Sequence, residues 1–146
     1  MKKKSILDFF NYDLSKLDKE EFIHFETSYN KVGTKIEMYH KFLPNQELGI
    51  FNEIEFILFP SGEKNIFFYG NLDTLDKVSL QRFIIELIFI YGKDSSKCGK
   101  LTPQEWIKIS RGSFWLGRDW DNISINSNHL RENCFYLSIL GIKENQ

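Results

Sequence analysis

Apolar and polar residues alternate through much of the first half of the chain, in segments separated by Gly, Pro and Asn. A period of two is typical of strands that bury one face. The first segment, EEFIHFETSYNK, could also form a helix, but its β-branched and aromatic residues favour a strand. The pattern therefore predicts a four-stranded antiparallel meander, with strands at about 21–29, 34–42, 50–59 and 66–71.

A helical pattern follows at about 74–91. Ser79, Arg82 and Glu86 step by three and four residues along one narrow stripe, and nearly every other position is apolar. A helix with so little polar surface is expected to be mostly buried. We predict that it lies across the sheet and is covered on its other side by the C-terminal segment or by a second subunit.

Two shorter helices carry clear start signals. SILDFFN begins with Ser5 as an N-cap, followed by Asp8 near the positive end of the helix dipole. TPQEW contains Pro at the first helical position, with Thr102 and Glu105 as a capping box. The second of these helices is expected to be short, because Gly112 follows it.

The chain ends in a predicted β-hairpin formed by residues 113–120 and 134–142, which a polar stretch joins. Runs of strands, then helices, then a hairpin favour the α+β class over repeated β-α-β units. We expect a single domain over residues 1–146, in which the antiparallel four-stranded meander is packed by one long apolar helix. The short second helix and the C-terminal β-hairpin complete it.

Composition argues against two kinds of partner. The chain is 42% hydrophobic and 27% charged, with a net charge of −1, which is typical of an ordinary soluble protein. No basic stripe accompanies the many aromatic residues, so nucleic-acid binding is not expected. The longest apolar stretch, FIIELIFIY, is far shorter than the roughly 20 residues that span a bilayer, so no membrane partner is expected.

Location is predicted from the first residues and the cysteines. MKKKSILDFF has a basic start, but Asp8 interrupts the apolar run before it reaches the length of a signal peptide. Cys98 and Cys134 show neither metal-site spacing nor a disulfide framework. We therefore expect a cytoplasmic protein.

Residues 92–100, GKDSSKCGK, have only a superficial likeness to a phosphate loop. Six residues separate Gly92 from Gly99, and Leu101 stands where a hydroxyl residue is needed. We interpret this segment as a flexible, solvated basic loop.

Two histidines on neighbouring predicted strands raise the question of a metal. The register that keeps Phe25, Thr27 and Tyr29 on the core face turns His24 away from His40. No other potential ligand has suitable spacing, so we predict no metal and no cofactor.

FWLGRDW, at 114–120, is the main candidate for a site. A strand would place Arg118 and Trp120 on one face, and Trp115 and Asp119 on the other. Tryptophan beside arginine is typical of interface hot spots, while packing of both tryptophans into the core is the alternative. Gly117 permits a bulge or a close backbone approach. The candidate binding residues are Trp115, Arg118, Asp119, Trp120, Asp121 and His129.

No catalytic residue is predicted. A carboxylate beside a histidine can act as an acid–base pair, but Asp119, Asp121 and His129 match no known catalytic motif and suit solvated turns. The leading hypothesis is a non-catalytic protein-interaction module of a bacterial type, such as an adaptor, a chaperone-like subunit or a toxin-neutralising partner. Its partner would be another protein or a second copy of the chain. The alternative is an enzyme or small-ligand-binding protein with a pocket between the sheet and the C-terminal hairpin.

Overall fold

The computed structural model describes residues 5–10, 12, 14, 22–45, 47–127 and 133–143. It contains two α-helices, α1 (Lys77–Tyr91) and α2 (Pro103–Ser110), and short 3-10 helices at Ile6–Phe9 and Leu72–Thr74. The strands are β1 (Ile23–Tyr29), β2 (Lys35–Phe42), β3 (Glu53–Leu58), β4 (Lys64–Asn71), β5 (Arg118–Trp120), β6 (Ile123–Ser127) and β7 (Cys134–Ile142). They form one antiparallel sheet with the order β1-β2-β3-β4-β7-β6-β5.

The α+β class is confirmed, and so is the order of the first four strands. The predicted four-stranded meander is too small, however, because β4 pairs directly with β7 and the sheet continues to seven strands. The ambiguous first segment is a strand. The predicted N-cap at Ser5 and the predicted capping box at Thr102 are present, and Asp8 completes a capping box at Ser5 as well.

The predicted C-terminal hairpin pairs the wrong segments. Residues 134–142 do form a strand, but its neighbours are β4 and β6 rather than residues 113–120. Strand β6, which has the sequence ISINS, lies within the stretch predicted to be a polar connection. Its side chains alternate buried and half-buried, so Ile123 and Ile125 face the core while Ser124 and Asn126 face away. Strands β7 and β6 therefore belong to the sheet itself. They occupy the position where the alternative function placed a pocket between the sheet and a separate C-terminal hairpin.

The core lies on one face of this sheet. A row of buried side chains crosses all strands but β1 at paired positions: Tyr39, Phe56, Ile66, Ile139, Ile123 and Trp120. Helix α1 covers this face, and the ring of Phe83 lies 5.3 Å from that of Phe51. The first 3-10 helix is followed by Phe10, whose ring stacks on Phe68 at 4.5 Å. All of these residues belong to one apolar cluster.

Strand β1 is an edge strand, and its predicted core face is wrong. Phe25 and Tyr29 are 48% and 67% exposed. A register shift between His24 and Glu26 breaks the expected alternation. His24 pairs with Tyr39 and therefore lies on the opposite sheet face from His40, as the predicted register requires.

Helix α1 begins after Asp76, whose side chain accepts a hydrogen bond from the Ser79 amide. The prediction that the C-terminal segment covers its outer side is wrong, because that segment forms β7 within the sheet. Val78, Ile85 and Phe89 remain 63%, 41% and 79% exposed on this outer side. No helix in the described part of the chain is long and apolar enough to cross a membrane.

Candidate functional site

The fold buries three of the candidate residues from FWLGRDW and leaves Asp119 exposed. Trp115, Arg118 and Trp120 are buried, with exposed fractions of 2%, 2% and 6%. The segment before β5 does not continue the strand, because Gly117 lies against the backbone of β6: a Cβ atom placed on it would be 1.7 Å from the carbonyl oxygen of Ile125. The close backbone approach is thus confirmed. For both tryptophans the burial favours the core alternative.

The buried Arg118 side chain has no donor left for a ligand. Its Nη1 and Nη2 donate to the two Glu105 oxygens at 2.6 and 2.7 Å. Nε donates to the Gly99 carbonyl at 2.6 Å, and the other two N–H groups reach the carbonyls of Gly117 and Lys100. A guanidinium has five N–H donors, and all five are used here. Arg118 therefore joins the 92–101 loop and α2 to the sheet.

Glu105 is the acceptor at the centre of this network. Besides Arg118 it accepts a hydrogen bond from Trp115 Nε1 at 2.8 Å, and its Oε1 also accepts from the Thr102 amide in the capping box. Burial of the carboxylate opposes ionisation, but the hydrogen bonds from Arg118 and Trp115 outweigh it and lower the pKa of Glu105 to about 2. The pair is therefore ionised at neutral pH.

The 92–100 loop is organised by Asp94, a residue that the sequence did not single out. Its buried carboxylate accepts hydrogen bonds from the amides of Cys98 and Gly99 at 3.1 and 2.9 Å. Burial works against ionisation, but these amides and the Arg118 charge lower the pKa of Asp94. The interpretation as a purely solvated loop is thus wrong at Asp94, while Lys93, Lys97 and most of the surrounding side chains are exposed as expected.

The remaining candidates lie at the surface or outside the described residues. Asp119 is exposed on the sheet face opposite α1, where it accepts a hydrogen bond from Ser124, which in turn accepts one from Asn126. Asp121 is exposed in the turn between β5 and β6. His129 lies outside the described residues. Asp119 is therefore the one candidate that belongs to an extended polar surface in the described structure.

That surface, called the open face below, is the side of the sheet opposite α1. Both α-helices contribute their buried residues to the core on the other side. Two rows of paired residues cross the open face. The first row consists of Phe42, Glu53, Tyr69, Tyr136 and Asn126. The second row consists of His40, Glu55, Phe67, Ser138, Ser124 and Asp119. Most of these side chains are half-buried by one another.

An aromatic strip occupies the centre of the open face. The rings of Phe67 and Tyr69 stack at a centroid distance of 6.3 Å, and Tyr136 of the neighbouring strand lies 6.3 Å from Tyr69. The Phe25 ring meets that of His40 at the far edge. The solvent-facing side of an antiparallel sheet is usually polar. Aromatic residues at the centre of such a side are therefore unusual.

The charges around this strip are mainly negative. Glu53, Glu55 and Asp119 lie in the two rows, and His40 Nε2 is 3.3 Å from Glu53 Oε1. The described strands place no Lys or Arg side chain in these rows. Lys41 and Lys64 are instead on the core side, where their ammonium groups lie over the rings of Phe22 and Phe56.

The open face combines aromatic rings with carboxylate, amide and hydroxyl groups. Within the described residues, no group of three or more His, Cys, Asp or Glu side chains could hold a metal ion. A depression of about 320 Å³ lies at one end, lined in part by Phe42, Glu53, Tyr69 and Asn71. Sequence patterns missed this surface because it is assembled by the pairing of β4 with β7. The only local signal was the alternation of Phe67 and Tyr69 along one strand.

Comparison of the chain with models of known families, with curated proteins and with solved structures gave no match. A functional proposal must therefore be based on the chemistry of the open face.

Proposed function

We propose that this protein is a non-catalytic protein-interaction module that binds a basic polypeptide surface through the open face. The observation that carries the proposal is the strip of Phe67, Tyr69 and Tyr136 on a sheet face that no helix of the described residues covers. Aromatic side chains with surrounding polar groups are the composition of interface hot spots, because they contribute large contact area and lose few rotamers.

Charge defines the kind of partner. The open face surrounds its aromatic strip with Glu53, Glu55 and Asp119, so a surface rich in Lys or Arg would be electrostatically complementary. The same carboxylates would repel the phosphates of a nucleic acid. Arginine or lysine can also lie over a Tyr ring, which adds a cation–π contribution.

Two features support binding over catalysis. Arg118, which the sequence suggested for a ligand, has all its donors engaged within the chain. In the described part of the chain, Ser124 donates a hydrogen bond to Asp119 and accepts one from Asn126, and neither histidine nor lysine belongs to this chain of hydrogen bonds. The Asp119 carboxylate accepts the serine hydrogen bond, but the histidine that usually activates a serine nucleophile is not part of the network.

Site-specific photo-crosslinking tests the proposal. A photoreactive phenylalanine analogue is introduced at Phe67 or Tyr136, and at Val32 as a control that is 84% exposed in a turn away from the strip. We expect a discrete adduct with a basic protein of the source cells from the two open-face positions, and none from Val32. The adduct yield should fall as salt rises from about 0.05 to 0.5 M, because screening weakens the charge contacts.

Charge reversal gives the second arm of the test. Glu55→Lys or Asp119→Lys should abolish the adduct, whereas Asp73→Lys, at an exposed position beside α1, should leave it unchanged. Equal adducts from Val32 and from the open face, or none from the open-face positions of a folded protein, would refute the proposal.

A further inference from the structure

The outer side of α1 carries an apolar line that nothing in the described chain covers. Val78, Ile85 and Phe89 are 63%, 41% and 79% exposed, and Arg82 is exposed between them. The spacings of four, three and four residues place these side chains along one side of the helix, as in the contact line of a coiled coil. The opposite side of the same helix is buried in the core.

This outer side is self-complementary when two copies of α1 lie antiparallel. With the two-fold axis between residues 83 and 84, Val78 of one copy faces Phe89 of the other. Glu86 of the second copy then lies level with residue 81, one residue from Arg82. At a rise of 1.5 Å per residue, the two side chains are offset along the helix axis by only about 1.5 Å. A parallel arrangement would instead bring Arg82 against Arg82, which is unfavourable.

The surface near the start of α1 also fits the antiparallel arrangement. A depression of about 510 Å³ is lined there by Lys77, Val78, Gln81, Arg82, Ile85 and Glu86. In the antiparallel pair, the highly exposed Phe89 ring of the second copy lies beside Val78 and can fill this depression. In an isologous contact residue i of each copy meets residue j of the other, so two-fold symmetry places Phe89 of each copy at the depression of the other.

From this complementarity we infer that the protein forms a two-fold symmetric homodimer through the outer side of α1. The open face is on the other side of the sheet, and its carboxylates would repel a second open face. The dimer therefore leaves both open faces accessible and presents them in opposite directions. Two such faces on one particle would increase binding to a repetitive partner, but the dimer itself does not depend on the proposed function.

Matched charge reversals test the dimer in purified protein, without any partner. The wild-type chain is examined by sedimentation velocity over about 1–500 μM, since a contact made by one helix pair is small and should be weak. Arg82→Glu and Glu86→Arg should each raise the dimer dissociation constant about tenfold. Lys108→Glu, an exposed reversal on α2, is the control that should leave it unchanged.

Mixing the two variants distinguishes a contact between copies from one within a helix. In a mixed dimer the new carboxylate of Arg82→Glu faces the new guanidinium of Glu86→Arg, and the unchanged Glu86 of the first chain faces the unchanged Arg82 of the second. An equimolar mixture should therefore regain a dissociation constant within about threefold of the wild type. An ion pair within one helix would be broken in both variants and could not be repaired by mixing. Phe89→Ala should weaken the dimer without affecting the helix content measured by circular dichroism.

A wild type that stays monomeric over the whole range would overturn the inference. So would a mixture of Arg82→Glu and Glu86→Arg that remains as weak as the single variants. Because no partner is present, neither result bears on crosslinking at the open face, and failure of that crosslinking would leave the dimer measurement unaffected.

Discussion

Replacing Glu105 with glutamine would remove the charge that neutralises Arg118 while keeping the shape of the side chain. The single amide oxygen of Gln can accept from Trp115 in place of Oε2, or from the Thr102 amide in place of Oε1, but not from both. The change therefore removes the charge and one acceptor from the ion pair, in which the nitrogen–oxygen distances are 2.6 and 2.7 Å. Arg118, with a side chain only 1% exposed, would be left as a buried charge without a hydrogen-bonded carboxylate, and only the charge of Asp94 would remain near it.

The size of the effect follows from the pKa of Glu105, which lies at about 2 against an ordinary value of 4.5. One pKa unit corresponds to 1.36 kcal/mol, so the ionised carboxylate stabilises the fold by about 3 kcal/mol at pH 7. This is an upper estimate, because 23% of the Glu105 side chain is in contact with solvent. It agrees with the roughly 3–5 kcal/mol lost when one partner of a buried pair is removed.

The sign of the pH dependence is determined by the lowered pKa. The stabilisation is fully present above pH 4.5 and is lost as the pH falls towards 2, since the unfolded chain takes up the proton first. The difference between wild type and Glu105→Gln should therefore shrink to about 1.4 kcal/mol at pH 3.

Urea unfolding followed by tryptophan fluorescence measures the difference, because Trp115 and Trp120 are buried. A loss of about 3 kcal/mol lowers the midpoint by roughly 1–3 M urea. Glu26→Gln, at an exposed position of β1, is the matched control and should change the free energy of unfolding by less than about 0.5 kcal/mol. If Glu105→Gln behaves like this control at pH 7, the ion pair does not stabilise the fold. If its loss is the same at pH 3, packing and not charge is responsible.

Two further changes test how the fold holds its irregular segments. Gly117→Ala would place a Cβ atom 1.7 Å from the Ile125 carbonyl oxygen, so we expect a loss of at least about 4 kcal/mol or no folded protein, as measured by circular dichroism and urea unfolding. Wild-type stability in that variant would show that the β5–β6 contact is made differently. Asp94→Asn removes a charged acceptor from the amides of Cys98 and Gly99, which should cost about 1.5–3 kcal/mol and speed hydrogen exchange at both amides. Unchanged exchange would contradict the role given to Asp94.

Local patterns in the sequence determined the elements whose signals are contained within a few residues. The N-cap at Ser5 and the capping box at Thr102 were readable because their partners are no more than three residues away. Alternating residues identified β1 to β4, and the dense apolar run identified α1. In each case the hydrogen bonds or the periodic burial arise within one element or between neighbouring strands.

Tertiary structure alone decided how β5, β6 and β7 join the sheet and which side chains are covered. The pairing of β4 with β7 brings together Tyr69 and Tyr136, and no local pattern links residues so far apart in the chain. The same pairing assembles the open face and prevents the C-terminal segment from covering α1. Arg118 is buried because Glu105, the loop carbonyls of Gly99 and Lys100 and the carbonyl of Gly117 together satisfy all its donors. A charged residue is expected to be exposed unless its partners are known, since burial is favourable only after every polar group is paired.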